Sequence, residues 1–115
     1  MNQAVALRNS AENSAFFRCR FQGYQDTLYT VIGIQFFREC EIYGTVDLIC
    51  GDAAVFFQNS IIYAKKPVNL QTNTITAQKR ENPNKKTGTI MQNCTIKAAD
   101  DLRQQNFKFK TFLGR

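Results

Sequence analysis

Phe16-Phe17-Arg18-Cys19-Arg20-Phe21-Gln22-Gly23-Tyr24-Gln25-Asp26 is nearly repeated by Phe36-Phe37-Arg38-Glu39-Cys40-Glu41-Ile42-Tyr43-Gly44-Thr45-Val46-Asp47. Cys19 and Cys40, Gly23 and Gly44, Asp26 and Asp47, and Leu28 and Leu48 keep an offset of 20 or 21 residues. A repeat this short is the mark of a solenoid in which each copy makes one coil. Equivalent residues of successive coils then stack at the strand spacing of about 4.8 Å. Each copy ends in an aspartate, so the repeat predicts two carboxylates brought together on one face.

The repeat continues outward. Val55-Phe56-Phe57-Gln58-Asn59-Ser60-Ile61-Ile62-Tyr63-Ala64 aligns with the second copy, placing Ser60 at Cys40 and Tyr63 at Tyr43. Thr89-Ile90-Met91-Gln92-Asn93-Cys94-Thr95-Ile96-Lys97-Ala98 makes a fourth copy, with Cys94 at Ser60. The last spacing grows to 34 residues, and Lys65 to Thr87 holds both prolines, so it reads as a coil with an extended loop. Ala4-Val5-Ala6-Leu7 reads as the tail of an earlier coil. Residues 99–110 are polar and read as a loop before Thr111-Phe112-Leu113. The short runs are rich in aromatic and β-branched residues, and few segments show the helical period. The expected fold is all-β, a single-stranded parallel β-helix.

At 115 residues the chain is one domain or a piece of one. A solenoid of four or five coils exposes both ends unless it is capped, which points to a fragment. The net charge of +6 favours an anionic partner. Only Lys65-Lys66 and Lys85-Lys86 form basic doublets, and no nucleic-acid motif accompanies them, so no nucleic-acid partner is expected. An acidic polysaccharide fits the charge equally well, as does a merely solvated basic surface. The chain has no histidine, which excludes an imidazole base or a histidine-ligated metal. No apolar run approaches the ~20 residues that cross a membrane. The N-terminal residues lack the apolar core of a signal peptide. Asn93-Cys94-Thr95 is a glycosylation sequon, a sign of a secreted relative.

The four cysteines form no Cys-x-x-Cys pair. Cys19 and Cys40 occupy equivalent places, so they are either stacked small apolar side chains or a disulfide. Asp26 and Asp47 read in two ways as well. As turn residues they bond local backbone N–H groups. As chemistry, adjacent like charges raise one pKa, leaving one acid and one carboxylate near neutral pH. The carboxylate can attack a carbonyl carbon while the acid protonates the departing alkoxide. Gln25, and Gln3 about one coil earlier, offer amide donors to an oxyanion.

Gln3-Ala4-Val5-Ala6-Leu7, Tyr24-Gln25-Asp26-Thr27-Leu28-Tyr29, Gly44-Thr45-Val46-Asp47, Thr76-Ala77-Gln78 and Leu113-Gly114-Arg115 occur in this order. Together they resemble the motifs of the plant pectin methylesterase (pectinesterase) family, over essentially the whole chain. The resemblance implies a right-handed parallel β-helix, truncated at both ends, with residues 1–115 as a partial catalytic domain made of its central coils. It implies hydrolysis of the methyl esters of homogalacturonan, giving pectate and methanol, with no metal or cofactor. It implies a protein secreted to the plant cell wall, with methyl-esterified pectin as partner. By position, Asp47 corresponds to the nucleophile and Asp26 to the general acid/base. Gln3 and Gln25 correspond to the residues that stabilise the anionic intermediate, and Arg115 to the arginine that holds the nucleophile.

Several positions depart from the family pattern. Asp47-Leu48-Ile49-Cys50-Gly51 stands where the family reads Asp-Phe-Ile-Phe-Gly, so Cys50 replaces a substrate-contacting aromatic. Ile34 stands for an arginine, Asp52 for an asparagine and Lys79 for a glycine. Ser60 replaces a cysteine, which removes the family disulfide to Cys94. The family's early coils and the Pro-Trp that follows the arginine are absent. The reading that competes with the esterase is a non-catalytic β-solenoid that binds acidic polysaccharide.

Overall fold

The computed structural model describes residues 4–106 and 108–115, so Gln3 lies outside the described residues. The first coil contains β1 (Leu7–Asn9), β2 (Asn13–Phe17) and β3 (Arg20–Gln22). The second contains β4 (Leu28–Thr30), β5 (Ile34–Arg38) and β6 (Glu41–Gly44). The third contains β7 (Ile49–Gly51), β8 (Ala54–Gln58) and β9 (Ile61–Ala64). The fourth contains β10 (Asn73–Gln78), β11 (Gly88–Gln92) and β12 (Thr95–Ala98). After α1 (Asp100–Arg103), β13 (Thr111–Gly114) opens a fifth. The strands stack into three parallel sheets, β1-β4-β7-β10-β13, β2-β5-β8-β11 and β3-β6-β9-β12. The protein is a parallel β-helix.

Each coil thus has three strands where the sequence reading resolves two. The first sheet, built from segments such as Leu28-Tyr29-Thr30 and Ile49-Cys50-Gly51, has strands too short to show an alternating pattern. The register within the second and the third sheets follows the repeat, with Phe36 opposite Phe56 and Tyr43 opposite Tyr63. One alignment differs: Leu28 pairs with Ile49, not Leu48, because the offset between β4 and β7 is 21 residues and falls to 20 only at β5/β8 and β6/β9. Within the span expected to be a loop, residues 100–103 form a helical turn. Its acidic start, Asp100 and Asp101, and its basic end at Arg103 suit the helix dipole.

In-register stacking puts like side chains on top of one another. Phe16, Phe37 and Phe57 form a ladder with ring centroids 4.8 and 4.9 Å apart, and Phe37 and Phe57 are fully buried. Leu28, Ile42, Ile49 and Ile62 complete the interior with them. On the outer surface Tyr43 and Tyr63 stack at 4.2 Å. Each bend between the second and third sheets carries a residue at positive φ: Arg18, Glu39, Asn59 and Asn93. The Asn93 side-chain amide donates to that of Asn59 at 2.8 Å, so the bends themselves are stacked.

The cysteines are all free thiols. Cys40 is buried in the core, in agreement with the stacked-apolar alternative over a disulfide. Ser60 fills the place of the family's cysteine as a polar link. Its hydroxyl accepts from the Cys40 N–H at 3.1 Å and donates to the Gln58 carbonyl at 3.1 Å. Gly51 sits at φ +118°, and a Cβ there would lie 2.0 Å from the Thr30 carbonyl oxygen. No side chain can occupy that close coil-to-coil approach.

The ladder makes a direct prediction. Phe37→Ala is expected to lower unfolding free energy by about 3–5 kcal/mol in urea titration. Phe17→Ala, at an exposed position one residue beyond the ladder, should stay within about 0.5 kcal/mol.

Candidate active site

The aspartates sit at bends that lead into the first sheet. Asp26 has φ +54° two residues before β4, and Asp47 has φ +49° two residues before β7. Aspartate is among the few residues that adopt this left-handed conformation readily. The Asp26 N–H donates to the Val46 carbonyl at 3.0 Å, and the Leu28 N–H to the Leu48 carbonyl at 2.9 Å. The two bends are therefore locked together, and Asp26 stacks on Asp47 at the same 21-residue offset as the strands beyond them. Both line one open cleft of about 840 Å³.

Arg115 joins them from much further along the chain. β13 lies two strands from β7 in the same sheet, with β10 between. The Arg115 N–H donates to the Thr76 carbonyl at 3.2 Å, which anchors its backbone. The intervening register position beside Cys50 is Ala77, whose small side chain leaves a path for the long guanidinium. Nε donates to Asp47 Oδ1 at 2.8 Å, and Nη2 donates to Asp47 Oδ2. This is the two-pronged fork that arginine makes with an ionised carboxylate. Asp47 is 8% exposed, while most of the Arg115 side chain remains open to solvent.

Among the described residues Asp26 has no such partner, and its carboxyl is held above the ordinary carboxylate range. Burial is the main cause and the Asp47 charge the next, with Arg115 pulling weakly the other way. The stacked carboxylates are thus differentiated: Asp47 is paired with a cation, and Asp26 is biased towards its protonated form. Cys50 lines the same cleft. Burial, then the charges of Asp26 and Asp47, push its thiol up to about 12, so it stays neutral and does not compete as a nucleophile.

Gln25 does not share that cleft. It lines a second cavity of about 540 Å³, which meets the first at Arg115. The structure therefore brings Asp26, Asp47 and Arg115 together in the first cleft, with Gln25 lining the adjoining cavity that shares Arg115 with it.

Other residues complete the cleft around the pair. Tyr29, Cys50 and Ala77 form one row across the first sheet at the cleft floor. Asp52 accepts from Lys85 Nζ at 2.7 Å and from the Thr87 hydroxyl at 2.9 Å, tying the 79–87 loop to the cleft wall. These partners hold the Asp52 carboxyl below its ordinary range. Lys79, at the place of the family's glycine, pairs with Glu81 at 2.8 Å on the cleft rim. The Asp52 contacts join segments more than 30 residues apart with no shared motif. No cluster of potential metal ligands is found among the described residues.

The pectinesterase family profile matches residues 1–115. The chain is 59% identical over 114 residues to an Arabidopsis thaliana protein named "Probable pectinesterase/pectinesterase inhibitor 7". It is 57% identical over 114 residues to "Pectinesterase 2" of Citrus sinensis. Each alignment covers 99% of this chain but only 20% and 22% of the respective relative. The chain thus spans about a fifth of the length of these relatives. Among solved structures, carrot pectin methylesterase superposes with a TM-score of 0.85 and 46% identity, covering 88% of this chain and 32% of the carrot chain. A pectin methylesterase in complex with a hexasaccharide superposes with a TM-score of 0.75 and 32% identity, covering 88% of this chain and 30% of that one. The fold agrees with these structures, the family profile spans the full sequence, and the chain belongs to the pectinesterase family.

Proposed function

We propose that the protein is an aspartyl esterase that hydrolyses the methyl esters of homogalacturonan, and that its 115 residues are central coils of the catalytic domain. The observation that carries this reading is the differentiated pair: Asp47 under the Arg115 fork, beside Asp26 with its raised pKa, in one cleft. An ionised carboxylate beside a protonated one is the arrangement that ester cleavage without a metal needs.

In the first step Asp47 attacks the ester carbonyl carbon, and the oxyanion that forms requires hydrogen-bond donors. Gln25 and Gln3 take that role in this reading, by their place in the family motifs. The bond to the methoxy oxygen then breaks, Asp26 gives its proton to the leaving group, and methanol departs. The acid anhydride left between Asp47 and the sugar carboxyl is attacked by water. Asp26, now ionised, takes the water's proton, and the bond to Asp47 breaks to release galacturonate. Arg115 fixes the attacking oxygens in place through both steps. The substrate is the pectin of plant cell walls, which puts the protein's work outside the cell. The positive net charge suits a polymer that gains carboxylates as the reaction proceeds.

The test is methanol release from highly methylated pectin. Asp47→Asn should lower kcat by at least about 10⁴-fold, as removal of a nucleophile does. Equal activity in variant and parent would refute the mechanism. Salt-sensitive pectate binding with no turnover in the parent would favour the non-catalytic polysaccharide binder instead. Arg115→Lys keeps the charge but loses the fork, so kcat should fall about ten- to a hundredfold with KM little changed.

Asp26 also makes stability depend on pH. Its folded pKa is raised above the ordinary 3.8, so its contribution is fully present below 3.8 and is lost as pH rises through the folded value. Asp26→Asn cannot ionise. Its melting temperature relative to the parent should therefore move in the variant's favour as pH rises from below 3.8 to neutrality. A difference that stays constant across this range would show that Asp26 does not titrate as described.

A further inference from the structure

The basic doublet Lys65-Lys66 follows β9, and its two members have different surroundings. Lys66 is exposed, whereas Lys65 is half-buried. The Lys65 N–H donates to the Gly44 carbonyl at 2.8 Å, and the Lys65 carbonyl accepts from the amide of the fully buried Asn73 at 2.9 Å. Continuing the register of the third sheet, Lys65 stands opposite Thr45, and Thr45 opposite Tyr24. The Lys65 side chain spans that intervening coil. Its Nζ donates to the Gly23 carbonyl at 3.2 Å and lies 3.4 Å from the centroid of the Tyr24 ring.

Tyr24 is the residue before Gln25. Its carbonyl accepts from the Thr45 N–H at 2.8 Å, and beyond Gln25 the Asp26 N–H donates to the Val46 carbonyl at 3.0 Å. The bend is therefore held on both sides of Gln25, and the Lys65 ammonium adds a third hold on the Gly23–Tyr24 peptide and the Tyr24 ring. An ammonium that donates to a carbonyl while lying over the adjoining ring restrains both together. Ordering a long lysine side chain costs entropy that the solvated Lys66 avoids. The order that Lys65 brings is delivered to the bend that carries Gln25 and Asp26.

We propose that Lys65 is a positioning residue that, through Tyr24, holds the Gln25 amide in the orientation from which it serves the oxyanion. A donor of this kind is effective only when aimed at the place where charge develops, so loosening it lowers kcat and leaves KM little changed. The inference rests on the esterase reading for what Gln25 does, but the hold on Gln25 is measurable without turnover.

The experiment compares the parent with Lys65→Met, Lys65→Arg and Lys66→Met, each assayed well below its melting temperature. In methanol release from highly methylated pectin, Lys65→Met should lower kcat about ten- to thirtyfold with KM within about twofold. Lys65→Arg, which can both donate to the carbonyl and lie over the ring, should return kcat to within about threefold of the parent. Lys66→Met removes the same charge one residue on and should leave kcat within about twofold. In a Gln25→Ala background, Lys65→Met should cost no more than about twofold, because the amide it serves is gone. The side-chain amide resonances of Gln25 in proton–nitrogen correlation spectra should move in Lys65→Met and stay in place in Lys66→Met. A lower melting temperature with kcat unchanged would make Lys65 purely structural and overturn the proposal. Equal losses in Lys65→Met and Lys66→Met, equal costs with and without Gln25, or unmoved Gln25 resonances would overturn it too. A parent that releases no methanol would defeat the esterase reading alone, and the Gln25 resonances would then decide whether Lys65 holds that side chain.

Discussion

Everything in this protein depends on coils that pair in register at about 4.8 Å. That spacing converts a sequence interval of 20 or 21 residues into direct contact. Its consequences differ with the residue. For phenylalanine it yields a continuous buried ladder through Phe16, Phe37 and Phe57. For Arg20 and Glu41 it yields an attractive pair at 2.6 Å. For Asp26 and Asp47 it yields like charges at the same separation in the chain, which the fold must then accommodate.

The accommodation comes from two unequal environments. Asp47 receives the Arg115 fork from a strand two places away in the same sheet, while Asp26 is left to burial and to its neighbour's field. Stacking alone would make the two carboxylates equivalent. The difference arises because Arg115 reaches only one of them with both prongs. The structural device that relieves the repulsion is thus the same one that, in the proposed mechanism, would separate an attacking carboxylate from a proton donor.

The core was legible from sequence because each coil repeats it: Phe36-Phe37 and Val55-Phe56-Phe57 announce the same face, and Tyr43 and Tyr63 pair as their spacing requires. The aspartate pair was legible for the same reason. The first sheet was harder to read, since its strands are three residues long where they pass through Leu28 and Ile49. The Asp52–Lys85–Thr87 tie and the cavity beside Gln25 were not legible at all. They depend on how loops of unequal length fold over the regular coils, and no period connects their members. Arg115 lies between these cases. The fold explains how it reaches Asp47, but only the family motif marked it beforehand.

The electrostatics of the cleft also bear on which form of substrate can occupy it. Asp47 is neutralised by Arg115, Asp26 is biased towards the protonated form, and Cys50 is kept as a thiol. The centre is therefore close to neutral although the chain as a whole carries +6. In the proposed reaction a neutral ester would meet no net charge there, while the long-range field would draw in a polymer that bears some carboxylates. Hydrolysis would then add a negative charge to this balanced centre, as the product carboxylate formed beside Asp47. That added charge would disfavour the product at the centre while the positive surface still attracted the polymer. The attraction that gathers the polymer and the imbalance that clears the site could then act together, because one belongs to the whole surface and the other to a single stacked pair.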